Sequence, residues 1–205
     1  MSKILWKGST LLAPLPVCLV TCGDLTAEIP VKNVFTVAWT GIVCTHPPMT
    51  YISVRPTRHS YNIIKETGEF ALHPVTVDYV RAADSCGVYT GRKVDKFTRF
   101  HLTAEPSAEL KCPLIAELPL AVDCRVKDCI PLGTHDMFLA EIVGIELSPA
   151  LLDKTGKLDL EKARLAGFAH GAYYELGRCV GTFGYSVKKE HSHTTTNNKR
   201  KGPHQ

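Results

Sequence analysis

From Asn33 to Thr40 bulky apolar side chains alternate with small ones: Phe35, Val37 and Trp39 fall on one side of an extended chain, and Val34, Thr36, Ala38 and Thr40 on the other. Successive strand residues face opposite ways, so this period predicts a strand with one core face and one small, hydroxylated face. Such a face lets a flat ligand lie close to the backbone; it equally describes a half-exposed strand whose threonines meet water. Thr45-His46-Pro47-Pro48 must be extended, because each proline fixes its own φ and restricts the residue before it. The chain then reverses into Tyr51–Arg55, where Tyr51, Ser53 and Arg55 oppose Ile52 and Val54. Pro56 ends that strand. Thr57 is the expected N-cap of a helix with Tyr61, Ile63 and Ile64 on its apolar side, and Gly68 fits just past its end.

The same reading extends to the rest of the chain. Pro14 to Cys22 predicts a buried strand, followed by a Gly23-Asp24 turn and a loop through Pro30. Glu69–His73 predicts a short strand, and Thr76 to Ser85 a helix ending near Gly87. Tyr89 to Phe97 reads as a polar, cation-bearing loop. Leu120–Ile130 turns Val122, Cys124 and Val126 inward and Asp123, Arg125 and Lys127 outward, and Pro131-Leu132-Gly133 leads into a second long strand over Met137–Leu147. Asp153–Leu165 is polar and partly helical, and Ala169–Tyr185 predicts an irregular flap against the body or a second subunit. The sum is a mainly β fold with a few short helices, for which a closed or nearly closed barrel removes the sheet edges.

Composition narrows the classes without choosing one. With 205 residues, 44% hydrophobic and 21% charged, the chain suits one globular domain over residues 1–187. Residues 188–205 hold no apolar anchor and are expected to form a disordered polar and basic tail. The net charge of +4 draws partly on that tail, so no nucleic-acid partner is required. The apolar run Leu11–Val20 carries Pro14 and Pro16 and is shorter than the ~20 residues of a membrane span, so no membrane segment is expected. Leu19-Val20-Thr21-Cys22 is a poor lipoprotein cleavage site and reads better as strand. The 8 cysteines lack small-scaffold or metal-ligand spacing, which favours buried reduced thiols in a cytoplasmic protein over disulfides or zinc.

Candidate chemistry gathers where Tyr51–Arg55 meets the helix. A helix start offers unpaired backbone N–H groups and partial positive charge, which suit a phosphate. Arg55, Arg58, His59 and Ser60 cluster there. Cations at that end oppose the helix dipole, at a cost of about 0.3–1 kcal/mol each unless an anion is near. Lys96, in the later loop, would add charge if the loop folds back. No G-x-G-x-x-G or Walker motif is present.

Asn33…Thr36-Val37-Ala38-Trp39-Thr40, Pro47-Pro48, Ser53-Val54-Arg55-Pro56-Thr57-Arg58-His59-Ser60 and Gly68-Glu69-Phe70, followed by Gly91 to Phe97, Gly133-Thr134-His135, Tyr174 to Gly177 and Gly181 to Gly184, together resemble the flavin reductase-like, flavoredoxin group of FMN-binding split-barrel proteins. The resemblance implies a homodimeric split β-barrel with noncovalent FMN near the subunit interface. It implies a flavin ring on the face of Thr36, Ala38 and Thr40 with Trp39 in contact, and a phosphate held by Ser53, Val54, Arg55, Arg58, His59, Ser60 and Tyr61, with Ser85 and Lys96 contributing. It further implies an oxidoreductase reduced by NAD(P)H or by another, unnamed redox partner. Flavin reductases usually read Gly-Asp-His where this chain has Gly133-Thr134-His135-Asp136, so His135 is the candidate nicotinamide-site residue and the aspartate is displaced. A non-catalytic module binding another flat anion in the same barrel is the alternative.

Overall fold

The computed structural model describes residues 1–187; the expected tail over 188–205 lies outside the described residues. Strands β1 (Leu15–Pro16), β2 (Cys18–Asp24) and β3 (Val31–Val37) come first, then the hairpin β4 (Thr40–Cys44) and β5 (Met49–Val54), helix α1 (His59–Thr67) and β6 (Glu69–Pro74). Helix α2 (Val80–Val88) follows a 3-10 turn, and the single turn α3 (Lys96–Arg99) precedes a small hairpin of β7 (Ala104–Pro106) and β8 (Pro113–Ile115). The long hairpin β9 (Leu120–Pro131) and β10 (Asp136–Leu147) comes next, and β11 (Ala166–Ala169) and β12 (Ala172–Glu175) end the strand order.

Seven strands form one antiparallel sheet in the order β3-β2-β6-β9-β10-β5-β4. Its two edge strands, β3 and β4, are successive parts of one stretch bent at Ala38–Trp39. Ser53 N donates to Trp39 O across that bend at 2.9 Å, so the sheet curls into a barrel closed by its own chain. Val20, Phe35, Ile52, Phe70, Cys124 and Phe138 fill the interior, and α1 contributes Tyr61, Ile63 and Ile64. A second apolar layer lies outside the barrel, where Val17, Leu19 and Val34 meet Ala83 and Cys86 of α2, Phe97 of α3, and Ile115. Strands β2 and β3 are therefore covered on both faces.

Several expectations need correction. Asn33–Thr40 is two strands, because the chain must turn to reach the far edge of the sheet. The bend throws Trp39 out of the core, 40% exposed, and buries Thr40 instead. Arg58, with extended φ −70 and ψ 141, is the N-cap of α1, and no side chain caps it; Thr57 does not serve. Asp123 does face away from the barrel, but it is fully buried under the segment carrying Ser107. Part of the expected flap is regular, since β11 and β12 form a sheet with β1. At the other end of α1 the expectation holds: Gly68 takes φ 69 and donates to Ile64 O at 2.8 Å.

All 8 cysteines are unpaired, and 5 of them are buried. Among the described residues no helix is long and apolar enough to cross a membrane.

Candidate functional site

Strand ends place the site. β3 stops at Val37, β5 stops at Val54, and the turn after β5 (Arg58 N donating to Arg55 O at 2.9 Å) delivers the start of α1 beside the Ala38–Trp39 bend. Between them lies a cavity of about 230 Å³, walled by Phe35 to Trp39, Ser53 to Arg55, Arg58 and His135. Phe35, Arg55 and Arg58 are shared with a second cavity of about 450 Å³, which adds Asn33, Thr57, His59, Ser60, Tyr89 to Gly91 and Lys96. The two form one continuous cleft, and no carboxylate lines either part.

The cleft is electrically lopsided. Among the described residues Arg55, Arg58 and Lys96 form no salt bridge. Two of these cations are oriented by α2: Lys96 Nζ donates to Cys86 O at 2.7 Å and an Arg58 Nη1 proton goes to Gly87 O at 3.0 Å. Carbonyls of a last helical turn attract cations, which explains why buried Lys96 points there. It does not neutralise them. Burial first, and Arg58 nearby, pull the Lys96 ammonium down to about 8 despite the opposing influence of Cys86 and Cys22. Burial and then Arg92 and Lys96 lower His59, and burial and then Arg55 and Arg58 lower His135. Both imidazoles are thus held below their ordinary value, in a cleft whose field favours an anion. The uncapped start of α1, with no acidic residue in its first turn, opens onto the same space.

The structure gathers most of the anticipated side chains and gives some of them other work. Thr36, Ala38, Trp39, Ser53, Val54, Arg55, Arg58 and His135 line the first cavity, and His59, Ser60 and Lys96 the second. The threonine hydroxyl protons are already committed within the fold: Thr36 Oγ1 donates to Ala83 O of α2, and Thr40 Oγ1 to Tyr51 O at 2.6 Å. What this stretch presents is chiefly backbone and the Trp39 ring. Thr40, Tyr61 and Ser85 line neither cavity. Tyr61 sits in the barrel interior, where its hydroxyl donates to Asp136 Oδ2 at 2.6 Å. The aspartate following His135 therefore anchors α1 to the β9–β10 turn. Beside it Thr134 Oγ1 lies 2.9 Å from His135 Nδ1.

Asn33 is the cleft-lining residue that strand periodicity hides. It is buried, and its amide donates to Ser60 Oγ at 2.6 Å, fixing that hydroxyl at the helix start. An asparagine inside a strand, facing a layer of apolar residues, is the signal that marks it. Gly91 is the other: a Cβ there would stand 2.3 Å from Asn33 Oδ1 and 2.7 Å from His59 Cδ2, so only glycine lets the Tyr89 to Gly91 loop press against the site.

Residues 11–176 match the family described as Flavin reductase like domain. The chain belongs to this family. The flavoredoxin of Desulfovibrio vulgaris (Miyazaki F) is 30% identical, superposes with a TM-score of 0.83, and is aligned over 92% of this chain and 100% of its own. The flavoredoxin from Methanosarcina acetivorans is 25% identical with a TM-score of 0.78, over 91% of this chain and 100% of its own. An uncharacterized protein of Archaeoglobus fulgidus is 30% identical over 149 residues, 73% of this chain and 80% of that protein. As a flavin reductase-like, flavoredoxin-like split barrel, the protein falls among flavin-related oxidoreductases.

Proposed function

We propose that the protein binds FMN noncovalently in this cleft and passes electrons through it. The observation that carries the reading is the union of a cavity beside the Ala38–Trp39 bend with a carboxylate-free, cation-rich cradle at the uncapped start of α1. A monophosphate with a planar head fits both halves at once, and the free cations fit its charge. Arg55 and Arg58 hold the phosphate by charge-assisted hydrogen bonds. Ser60, fixed by Asn33, and the first N–H groups of α1 add neutral donors, and Lys96 supplies buried positive charge. Backbone of Thr36 to Trp39, Ser53 and Val54 borders the ring, with Trp39 at its edge. Thr40, Tyr61 and Ser85 act as supports. When bound, the flavin supplies the redox chemistry; the protein supplies orientation, exclusion of water and electrostatics.

Burial, and then the Arg55 and Arg58 guanidiniums, oppose protonation of His135 and favour its neutral form. With Thr134 at Nδ1, its other ring nitrogen is left for a ligand. A second reading concerns the electron donor. Asp136 follows His135 instead of preceding it and accepts from Tyr61 through Oδ2, and this displacement favours reduction by a protein partner over NAD(P)H. The reduced thiols and the absence of a pairing pattern fit a cytoplasmic carrier. Incubation with FMN and removal of excess should leave a bound-flavin spectrum, and a protein left colourless would reject the reading. Anaerobic mixing with NADH or NADPH separates the donors: bleaching of the bound flavin identifies a reductase, and its absence with both identifies an electron carrier.

A further inference from the structure

The loop that walls the cleft also carries an outer face. Tyr89, Thr90 and Gly91 line the cleft, and the residues that follow, Arg92 and Lys93, are exposed, as are Val31 and Lys32 of β3, with which they border a cavity of about 430 Å³. The ends of the loop are stapled together: the Tyr89 ring lies 5.7 Å from the Phe100 ring, and the Arg99 guanidinium stands over it at 4.7 Å. Tyr89 is nevertheless 40% exposed, so an aromatic side chain is presented to solvent already held in place. Among the described residues Lys32, Arg92, Lys93 and Arg99 form no salt bridge. The single carboxylate bordering that cavity, Asp95, caps α3: Oδ1 accepts from Phe97 N at 3.0 Å and Oδ2 from Thr98 Oγ1 at 2.6 Å. One capped carboxylate does not balance three exposed cations. Residues 1–187 contain equal numbers of cations and carboxylates, so this is a local excess on a neutral body. Such an excess orients an approaching protein by its acidic face more than it gathers a polyanion. A held aromatic with arginines around it is the composition of an interface core, and electron-transfer encounters are the class that manages with little area, below about 1,200 Å².

We propose that this face docks a small acidic electron-carrier protein, with Tyr89 as the anchor and Lys32, Arg92, Lys93 and Arg99 meeting its carboxylates. The proposal rests on the reading of a protein as electron donor, and it adds the partner's charge and the place where it sits. A carrier docked there lies against the loop that forms one wall of the cleft. Nucleic acid is the other macromolecule that a basic face with an exposed ring could hold, and the same experiment separates the two.

The test measures binding to the full chain by calorimetry, with an oxidised acidic ferredoxin as probe and cytochrome c as a basic carrier for comparison. The native chain should bind the ferredoxin at about 20 mM salt and lose about tenfold or more of that affinity at about 200 mM, because salt screens exposed charges. In K32E/K93E two exposed lysines that do not line the cleft are reversed. That variant should bind the ferredoxin at least about tenfold more weakly at low salt, with little salt dependence, while its FMN affinity by flavin fluorescence stays within about twofold. K93E alone keeps the contact of Lys32 with the Phe97 ring and should show part of the loss. Ferredoxin binding that is absent, indifferent to salt, or equal in native and variant chains would overturn the proposal. So would tighter binding of cytochrome c, or tighter binding of a single-stranded oligonucleotide that the double variant abolishes. The flavin reading fails separately: a chain that docks the ferredoxin but takes up no FMN keeps this face and loses the flavin, and one that takes up FMN but docks no ferredoxin loses this face alone.

Discussion

At the scale of single residues, Arg55 ties the chemistry of the cleft to its protonation state. It lines both parts of the cleft, has no salt bridge among the described residues, and helps depress His135. Arg55→Ala should weaken FMN binding by about 1.5–3 kcal/mol, the worth of a hydrogen bond to a charged group. The same substitution should raise the His135 pKa, because removing a nearby positive charge favours the imidazolium. Fluorescence titration reads the first effect and histidine NMR titration the second. Unchanged FMN affinity would show that Arg55 points elsewhere, and an unmoved His135 would show that burial alone sets its value. Residue identity made the cation cluster at Arg55 to Ser60 legible in the sequence. What it could not supply was which polar groups are already spoken for. The Thr36, Thr40 and Tyr61 hydroxyls all looked available, and each is satisfied by a group distant in sequence, Ala83 O, Tyr51 O and Asp136 Oδ2.

At the scale of elements, legibility follows how many layers cover a strand. The β9–β10 hairpin and α1 have a simple inside and outside, and their periods are plain in the sequence. β3 is buried on both faces and then bends without a glycine or proline at Ala38–Trp39, so its period runs on unbroken into β4 and conceals the turn. Asp123 is misread for a related reason, since the strand β9 has a second cover that alternation does not reveal. Such double covering creates two opposed titrations. His73 of β6 is fully buried between β2 and β8: its Nε2 accepts from Ile115 N at 3.1 Å, so Nδ1 bears the proton and donates to Leu19 O at 3.3 Å. Burial pushes its pKa down to about 4 from 6.5. A depressed histidine gives its full stability above the unfolded value and loses it as pH falls through the window from 6.5 to 4. Asp123 runs the other way. Burial, and then Glu146, push it up to about 6 from 3.8, so the folded state gains on the unfolded one as pH falls through that interval. The two contributions nearly cancel between pH 6 and pH 4. Asp123→Asn removes one of them, and the variant should lose stability over this range more steeply than the native protein, by up to about 1.4 kcal/mol per pH unit. Urea unfolding at several pH values measures this, and parallel pH profiles for the two proteins would refute it.

At the scale of the whole molecule, the cleft lies beside surface that a lone subunit leaves uncovered. β4 is an edge of the main sheet and exposes Ile42 (73%) and Val43 (50%), next to half-exposed Trp39 at the cavity wall. The first residues of the chain expose Trp6, Leu11 and Leu12, and the segment Leu11 to Leu15 faces Trp39 and Tyr51 across a further cavity of about 250 Å³. An exposed apolar edge strand invites pairing, and exposed apolar side chains near the site are suited to burial by a second copy of the same chain. A homodimer would bury this edge and narrow the mouth of the cleft over Trp39, which excludes water where the flavin ring is proposed to lie. Light scattering at micromolar concentration should therefore give twice the 22.5 kDa of the chain. Ile42→Glu places a charge on the edge that must be desolvated on pairing, at a cost of several kcal/mol, and should yield a monomer. That monomer keeps the intact cation cradle, so its FMN affinity should fall only by the part the partner contributes at the ring. A native protein of 22.5 kDa at all concentrations, binding FMN as tightly as its Ile42→Glu variant, would show that one subunit completes the site alone.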